Sequence, residues 1–411
     1  MPEHKRSVMP PGKIFSPDQP IHRTKEDKLG RKDFAKHMAD AIRGWKGNDS
    51  LCLALYGEWG SGKTSIKNMI VDALQKPTTK APLVVEFNPW QWSGQEQLIS
   101  AFFTEIGAKL GQSDTSKEGK ERASLFRNYG TALTFGSVAI KGIRIATSLF
   151  TGPASEMLFE PMQRGVDALK DGAEAAEKAS IEEIVPLDER KKVLSQSLQA
   201  LKRPILVIVD DIDRLVDDEI RLLFRLVKSN ADFPNVIYLL LFHRDHVERA
   251  LLGGRSYMEK IIQVGFEIPK VESKKLKELL EIELHSILKA TSMIELFESQ
   301  HSRWDAIYRS GASHFLGTMR DIKRFTSNLG FYLNMFRNGA RPEINPVDLA
   351  AIQILAIFEP GVYHRVHTSK GPLTTDYHHS STDEGRAEKS DLLLNHITAP
   401  AGEDNRSPLD N

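Results

Sequence analysis

A chain of 411 residues, 40% hydrophobic and 27% charged, is long enough for one large α/β domain with a helical appendage, or for two domains. Its 55 basic and 55 acidic residues cancel, so no overall charge favours nucleic acid or a membrane surface, and nucleic acid is not indicated as a partner. The single cysteine, Cys52, excludes a disulfide framework, and its place in the apolar run LCLALYG reads as a small buried residue.

The opening MPEHKRSVMPPGKIF has no apolar signal core, which together with the lone thiol points to a reduced, cytoplasmic setting. Residues 1–24 read as a flexible Pro- and Lys-rich arm, and residues 25–270 as the core. The core opens with KEDKLGRKDFAKHMADAIRGW, where Phe34, His37, Met38, Ala41 and Ile42 recur at helical spacing after a Leu29-Gly30-Arg31 turn. Asn48-Asp49-Ser50 breaks that helix.

Five strand-length apolar runs follow: LCLALY at Leu51, LVVEFN at Leu83, ILVIVD at Ile205, VIYLLLF at Val236 and IIQVGFEI at Ile261. Near-continuous hydrophobicity suits strands buried on both faces of a parallel sheet. Helical stretches such as LISAFFTEIGAKL and DEIRLLFRLVKS lie between them, as parallel crossovers require. The fold class is therefore α/β, a three-layer sandwich with a parallel five-stranded sheet.

A helical insert at about 112–187 interrupts the alternation. Its middle, TALTFGSVAIKGIRIATSLFTG (131–152), approaches the ~20 residues of a bilayer span, but Lys141 and Arg144 near its centre argue against one. A helix packed on the core or on a partner is the favoured reading, with surface-lying membrane association the lesser alternative. DALKDGAEAAEKASIEEI beyond it reads as a solvated helix. Residues 271–366 form a C-terminal helical subdomain, carried by SKKLKELLEIELHSILKA, RDIKRFTSNLGFYLNMF and NPVDLAAIQILAIFEPGVYHRV. Residues 367–411 are polar and read as a mostly disordered tail. His364, His367, His378 and His379 are too irregularly spaced for a metal site and read as solvated.

The chemistry centres on Gly57-Glu58-Trp59-Gly60-Ser61-Gly62-Lys63-Thr64, a full G-x-x-x-x-G-K-[ST] match with a strand before it and the helix TSIKNMIVDALQ, from Thr64 and Ser65 onward, after it. Glycines let the backbone turn its N–H groups toward phosphate oxygens, and the helix N-terminus adds positive potential. Lys63 would reach the β- and γ-phosphates, and the Thr64 hydroxyl would ligate Mg²⁺. The run ILVIVDDIDRL supplies the second half. Asp210 at the strand's end fits the Mg²⁺-holding role, and Asp211 is available to orient or deprotonate the attacking water. Asp213 and Arg214 read either as an ion pair on the next turn or as part of the site. The two strands that follow the loop, up to the acidic pair, fit the P-loop division in which an extra strand separates the loop strand from the carboxylate strand. No Asn-Lys-x-Asp guanine-reading motif is present, which favours ATP over GTP.

In this order, DKLGR, LYGEWGSGKTS, FNPWQWSGQEQLISAFFTEI, ILVIVDDIDRL, VIYLLLFHRDHV, YMEKIIQVGFEIP and GTMRDIKRF make the chain resemble the KAP-family P-loop NTPases, within the STAND-like branch of ATPases. Phe87-Asn88-Pro89-Trp90-x-Trp92 is the most family-specific element. The resemblance implies that Asp27, Leu29 and Arg31 lie near the adenine, with a capped helix start as the alternative. It leaves Trp90 and Trp92 either shaping the site or packing in the core. It also implies that Arg320 reaches the γ-phosphate, in competition with Lys323 and Arg324. Arg244, Arg249 and Arg255 are candidates to act on a neighbouring copy.

Two departures from the family pattern stand out. Phe242-His243-Arg244-Asp245 has His243 where the family commonly carries an Asp, which bears on the rate of hydrolysis. The segment bearing Lys141 and Arg144 sits where many relatives carry a transmembrane pair, so the chain looks like the soluble members. The function expected is a Mg-ATP-dependent switch, acting through a homo-oligomer or a separate effector protein, and by family analogy a part of bacterial anti-phage defence. The alternative is an ATP-binding scaffold with negligible turnover. A P-loop kinase is remote, because no arginine-rich lid is evident.

Overall fold

The computed structural model describes residues 15, 17–46, 49–75, 81–92, 94–135, 186–338, 341–369 and 395. They divide into two units: residues 21–269, and the first 20 residues together with those from Lys270 onward.

In the first unit the apolar runs form β1 (Leu51–Tyr56), β2 (Leu83–Phe87), β3 (Ile205–Val209), β4 (Val236–Phe242) and β5 (Val264–Glu267). They make one parallel sheet in the order β2-β3-β4-β1-β5. The strand that separates the loop strand β1 from the carboxylate strand β3 is thus β4, while β2 lies at the edge. In the last apolar run only the second half pairs; Ile261 and Ile262 are buried in the turn ahead of it.

Every residue of β3 and β4 is buried, and successive side chains enter different cores. Cys52, Ala54, Tyr56, Val207, Val209, Tyr238, Leu240 and Phe242 face one core. Leu53, Leu55, Leu206, Ile208, Ile237, Leu239 and Leu241 face the other. The second core is closed by α1 (Lys32–Gly44) and α2 (Lys63–Leu74) through Ala35, Met38, Ile42, Ile66, Met69 and Ile70. The first is closed by α3 (Gln95–Ser113), α4 (Lys117–Phe135), α5 (Leu187–Gln199) and α6 (Asp217–Arg225), with α7 (Arg244–Ala250) and α8 (Gly254–Glu259). Each fully buried Leu, Ile or Phe contributes roughly 1.5–3 kcal/mol, and Phe102, Phe103, Phe126 and Phe233 are all at or below 1% exposure. Such a core fixes the sheet, and parallel strands leave all five carboxyl ends at one edge. Burial pushes the Cys52 thiol up to about 12, as its place in β1 led us to expect of an inert core residue.

Of the insert, α4 is described and packs on α3; the apolar segment from residue 136 and the Ala- and Glu-rich stretch lie outside the described residues. Among the described residues no helix is long and apolar enough to cross a membrane, and no group of three His, Cys, Asp or Glu side chains could hold a metal ion. His378 and His379 lie outside the described residues.

The second unit is built on α9 (Ser273–Thr291), α10 (Met319–Met335), α11 (Pro346–Phe358) and α12 (Pro360–Thr368), with short helical turns between 294 and 315. Its core gathers Leu280, Leu284, Trp304, Phe325, Leu329 and Val347, and the Trp304 and Phe325 rings stack 6.2 Å apart. Thr318 and Asn345 cap α10 and α11 by accepting backbone N–H groups. The last apolar pattern, continuous in the sequence, breaks at Glu359. Pro360 has no N–H to donate and pushes the residue before it out of helical geometry, to φ −131° and ψ 61°.

The stretch read as an arm makes specific contacts. Phe15 stacks on Phe331 at 6.3 Å, and Lys323 Nζ donates to the Pro17 carbonyl at 3.0 Å. Further on, within the first unit, the Ile21 N–H donates to Ser65 Oγ at 3.3 Å and Thr24 donates to Asp72. Residues 1–14 lie outside the described residues.

Candidate nucleotide-binding site

The loop from β1 to α2 reverses direction on glycines. Gly60 and Gly62 take φ of +80° and +94°, a region that L side chains rarely adopt. At Gly57 a Cβ would stand 2.6 Å from Ser61 Oγ and 2.8 Å from Ile268 Cδ1, so a side chain there would require both neighbours to shift. The Gly57 N–H donates to the Phe242 carbonyl at 3.2 Å, and the Ser61 N–H donates to the Glu58 carbonyl at 3.2 Å. Lys63 starts α2 and folds back over the loop, its Nζ donating to the carbonyls of Gly57 (2.8 Å) and Glu58 (3.3 Å).

Arg31 braces the same loop from below. It is 7% exposed, with Nε donating to the Pro269 carbonyl at 3.0 Å and Nη1 to the Ser61 carbonyl. Burial lowers its affinity for the proton, partly offset by Asp27. The guanidinium expected near the adenine is thus committed to main-chain carbonyls.

β3 delivers the acidic pair to the loop. Asp210 is buried at 8% exposure, and burial raises its carboxyl above the ordinary carboxylate range, while Lys67 and the Thr64 hydroxyl pull it back. Lys67 Nζ stands 3.9 Å from Asp210 Oδ2 and 2.6 Å from Glu86 Oε2. A buried carboxylate, incompletely compensated and hydrogen-bonded to a threonine hydroxyl at the head of the phosphate-loop helix, fits a hard divalent cation. Thr64 and Asp210 are the residues that would hold Mg²⁺.

Asp211 has φ +60°, a left-handed conformation costing a non-glycine residue roughly 1–2 kcal/mol. Asn88 Nδ2 donates to its Oδ2 at 3.0 Å, and Arg214 Nε contacts its Oδ1 at 3.0 Å. Asn88 in turn accepts the Trp90 N–H at 3.1 Å, so one side chain both caps the Pro89–Gln91 turn and orients Asp211. Of the two readings of Asp213 and Arg214, the ion pair between them does not form. Arg214 pairs with Asp211 and lies 4.9 Å over the Trp90 ring, because the turn after β3 points Asp213 inward, to 4% exposure. Asp213 accepts from Trp59 Nε1, Lys63 Nζ and the His243 N–H.

The remaining candidates fall in several places. Trp92 packs partly buried on the core, whereas Trp90 is exposed. Ser65 Oγ accepts the Ile21 N–H. Arg244 lies 5.2 Å over Tyr56 and pairs with Glu248 at 2.9 Å, Arg249 bonds the Asp245 carbonyl at 3.2 Å, and Arg255 pairs with Glu259 at 2.8 Å. Arg320 belongs to the second unit, where Nε donates to Asp18 Oδ2 at 2.5 Å. Sequence reasoning gave no role to Lys67 or to the Asn88 side chain, and it offered Asp213 a place in the site as one of two readings. Lys67 does stand one helical turn after Lys63, and Asn88 sits in the most family-specific run, so both left a signal.

A glycine loop at the carboxyl end of β1, an acidic pair two strands away on β3 and the strand order β2-β3-β4-β1-β5 define a P-loop NTPase. The KAP family P-loop domain matches residues 31–336, and the chain belongs to that family. The phage T7 exclusion protein of Escherichia coli (strain K12) is 23% identical over 377 residues. That alignment covers 84% of this chain and 46% of the relative, so the chain spans less than half of the relative's length. Among solved structures, the Aeropyrum pernix ORC1 protein in complex with DNA is 15% identical, with 92% of this chain and 80% of that one covered at a TM-score of 0.39. Drosophila ORC bound to DNA is 10% identical, with 99% and 91% covered at a TM-score of 0.41.

Proposed function

We propose that this chain is a Mg-ATP-dependent switch that hydrolyses ATP slowly. The observation that carries the reading is the geometry across the loop: Asp210 is buried and hydrogen-bonded to the Thr64 hydroxyl, and Asp211 beside it is held by Asn88 and Arg214. Lys63, the glycine-loop N–H groups and the α2 N-terminus bind and orient the triphosphate. Thr64 and Asp210 would hold Mg²⁺, which would supply positive charge against that developing on the phosphates. Asp211, fixed by Asn88 and Arg214, orients the attacking water and takes its proton. The output passes to a second copy or to a separate effector protein. Similarity to a phage exclusion protein supports a role in host defence.

A scaffold that binds ATP with negligible turnover is the second reading. It is favoured by the engagement of both Asp211 oxygens. Steady-state ATPase measurement on wild type, Lys63→Ala and Asp211→Asn separates the two, with size-exclusion chromatography under each nucleotide. Turnover lost in both variants, with assembly following the nucleotide, supports the switch. Wild-type turnover equal to that of Asp211→Asn sinks it in favour of the scaffold.

A further inference from the structure

Asp213 accepts from three donors at the loop, yet the chemistry above gives it nothing to do. Its side chain is 2% exposed. A single oxygen, Oδ2, accepts from Trp59 Nε1 at 2.7 Å, Lys63 Nζ at 3.3 Å and the His243 N–H at 3.2 Å. These donors come from three elements: the middle of the phosphate loop, the first residue of α2, and the residue that follows β4. Of the three only Lys63 is a cation, and a buried carboxylate stripped of its cation is strongly disfavoured. The same ammonium is the one that phosphate oxygens would draw away.

We infer that Asp213 is a positioning residue that competes with the nucleotide's phosphates for Lys63, and that losing Lys63 shifts the oxygen it shares with Trp59 and His243. The proposal rests on the reading of the loop as an ATP site. Binding a triphosphate breaks the Lys63–Asp213 pair and leaves the carboxylate held by two neutral N–H donors. The turn that carries Asp213 must then move or recruit positive charge, and either response displaces the Trp59 indole and the backbone at His243. The phosphate loop and the end of β4 therefore register nucleotide together, through one atom. His243, placed where the family commonly carries an acid, takes part through its main chain, so the change of side chain leaves this link intact.

Mg-ATP affinity, measured by calorimetry, and intrinsic tryptophan emission test this on wild type, Asp213→Asn, Trp59→Phe and the double variant. An asparagine oxygen still accepts from Trp59 and His243 but exerts no hold on Lys63 as a charge. Asp213→Asn is expected to bind Mg-ATP roughly tenfold more tightly, the scale of one charge pair set against its desolvation. Its nucleotide-induced emission change should shrink by more than half. Trp59 is 65% exposed, so Trp59→Phe leaves the fold intact and reads the link independently. It is expected to bind severalfold more weakly, because Asp213, short of one donor, holds Lys63 harder. That loss should vanish in the Asp213→Asn background. A merely structural Asp213 would weaken affinity on substitution, and a Trp59 that touched the nucleotide directly would cost the same in both backgrounds. Either result overturns the inference while wild-type binding stands. Absence of Mg-ATP binding by wild type overturns the ATP-site reading and the inference together.

Discussion

Replacing Arg31 by alanine removes a guanidinium that donates to the Ser61 and Pro269 carbonyls and stands 3.0 Å from where a Gly62 Cβ would be. Hydrogen bonds from a charged donor are worth about 1.5–3 kcal/mol each. The two are partly offset by the burial that lowers the proton affinity of Arg31. A net loss of about 2–4 kcal/mol follows once that desolvation is set against the bonds. In a domain of this size ~1 kcal/mol moves Tm by ~2–4 °C, so differential scanning calorimetry should record a fall of roughly 4–16 °C without nucleotide. Arg31→Lys, with one compact ammonium in place of a fork, recovers part of it. ATP affinity should fall as well, because the Ser61 carbonyl is released and the loop loses its floor. A Tm change below ~2 °C, with affinity sharply reduced, would refute the brace and restore Arg31 as a direct ligand of the nucleotide.

Two further substitutions test the acidic pair. Burial raises the Asp210 carboxyl, so the folded state binds its proton more tightly than the unfolded one. The associated stability is complete below the ordinary value of 3.8 and is lost as pH rises through the folded value. Asp210→Asn should therefore raise the Tm of nucleotide-free protein at neutral pH, with the gap to wild type closing as the solution is acidified, and should abolish the Mg²⁺-dependent part of ATP binding. A variant less stable than wild type at pH 7 would contradict this. Asn88→Ala frees Oδ2 of Asp211 and uncaps Trp90; kcat should fall roughly 10- to 100-fold, the range of a general base losing its orientation, with KM little changed. A rise in KM at constant kcat would place Asn88 in binding instead.

The parallel sheet was legible because β3 and β4 are buried on both faces and so read as unbroken apolar runs. The phosphate loop was legible because Gly60 and Gly62 take positive φ, which L side chains rarely adopt, and Gly57 is crowded by Ser61 and Ile268. Partners were harder to read. Whether Arg214 pairs with Asp213 or Asp211 depends on a left-handed residue at Asp211, and only glycine or asparagine there would have announced it. The partners of Asp213 were not legible because its three donors lie far apart along the chain, at Trp59, Lys63 and His243. The break at Glu359 was written in Pro360, but the apolar pattern on both sides masked it. The pairing of Arg320 with Asp18 spans 302 residues and has no local signature.

The central claim is that Gly57 to Thr64, with Asp210, binds Mg-ATP. Isothermal titration of wild type and Lys63→Ala with ATP, with and without Mg²⁺, tests it most directly. Wild type should bind with an affinity that rises on adding Mg²⁺, and Lys63→Ala should lose most of that binding while staying folded, at a lower melting temperature because the buried Asp213 carboxylate loses its cation. Equal binding by the two proteins, or none by a folded wild type, would contradict the account.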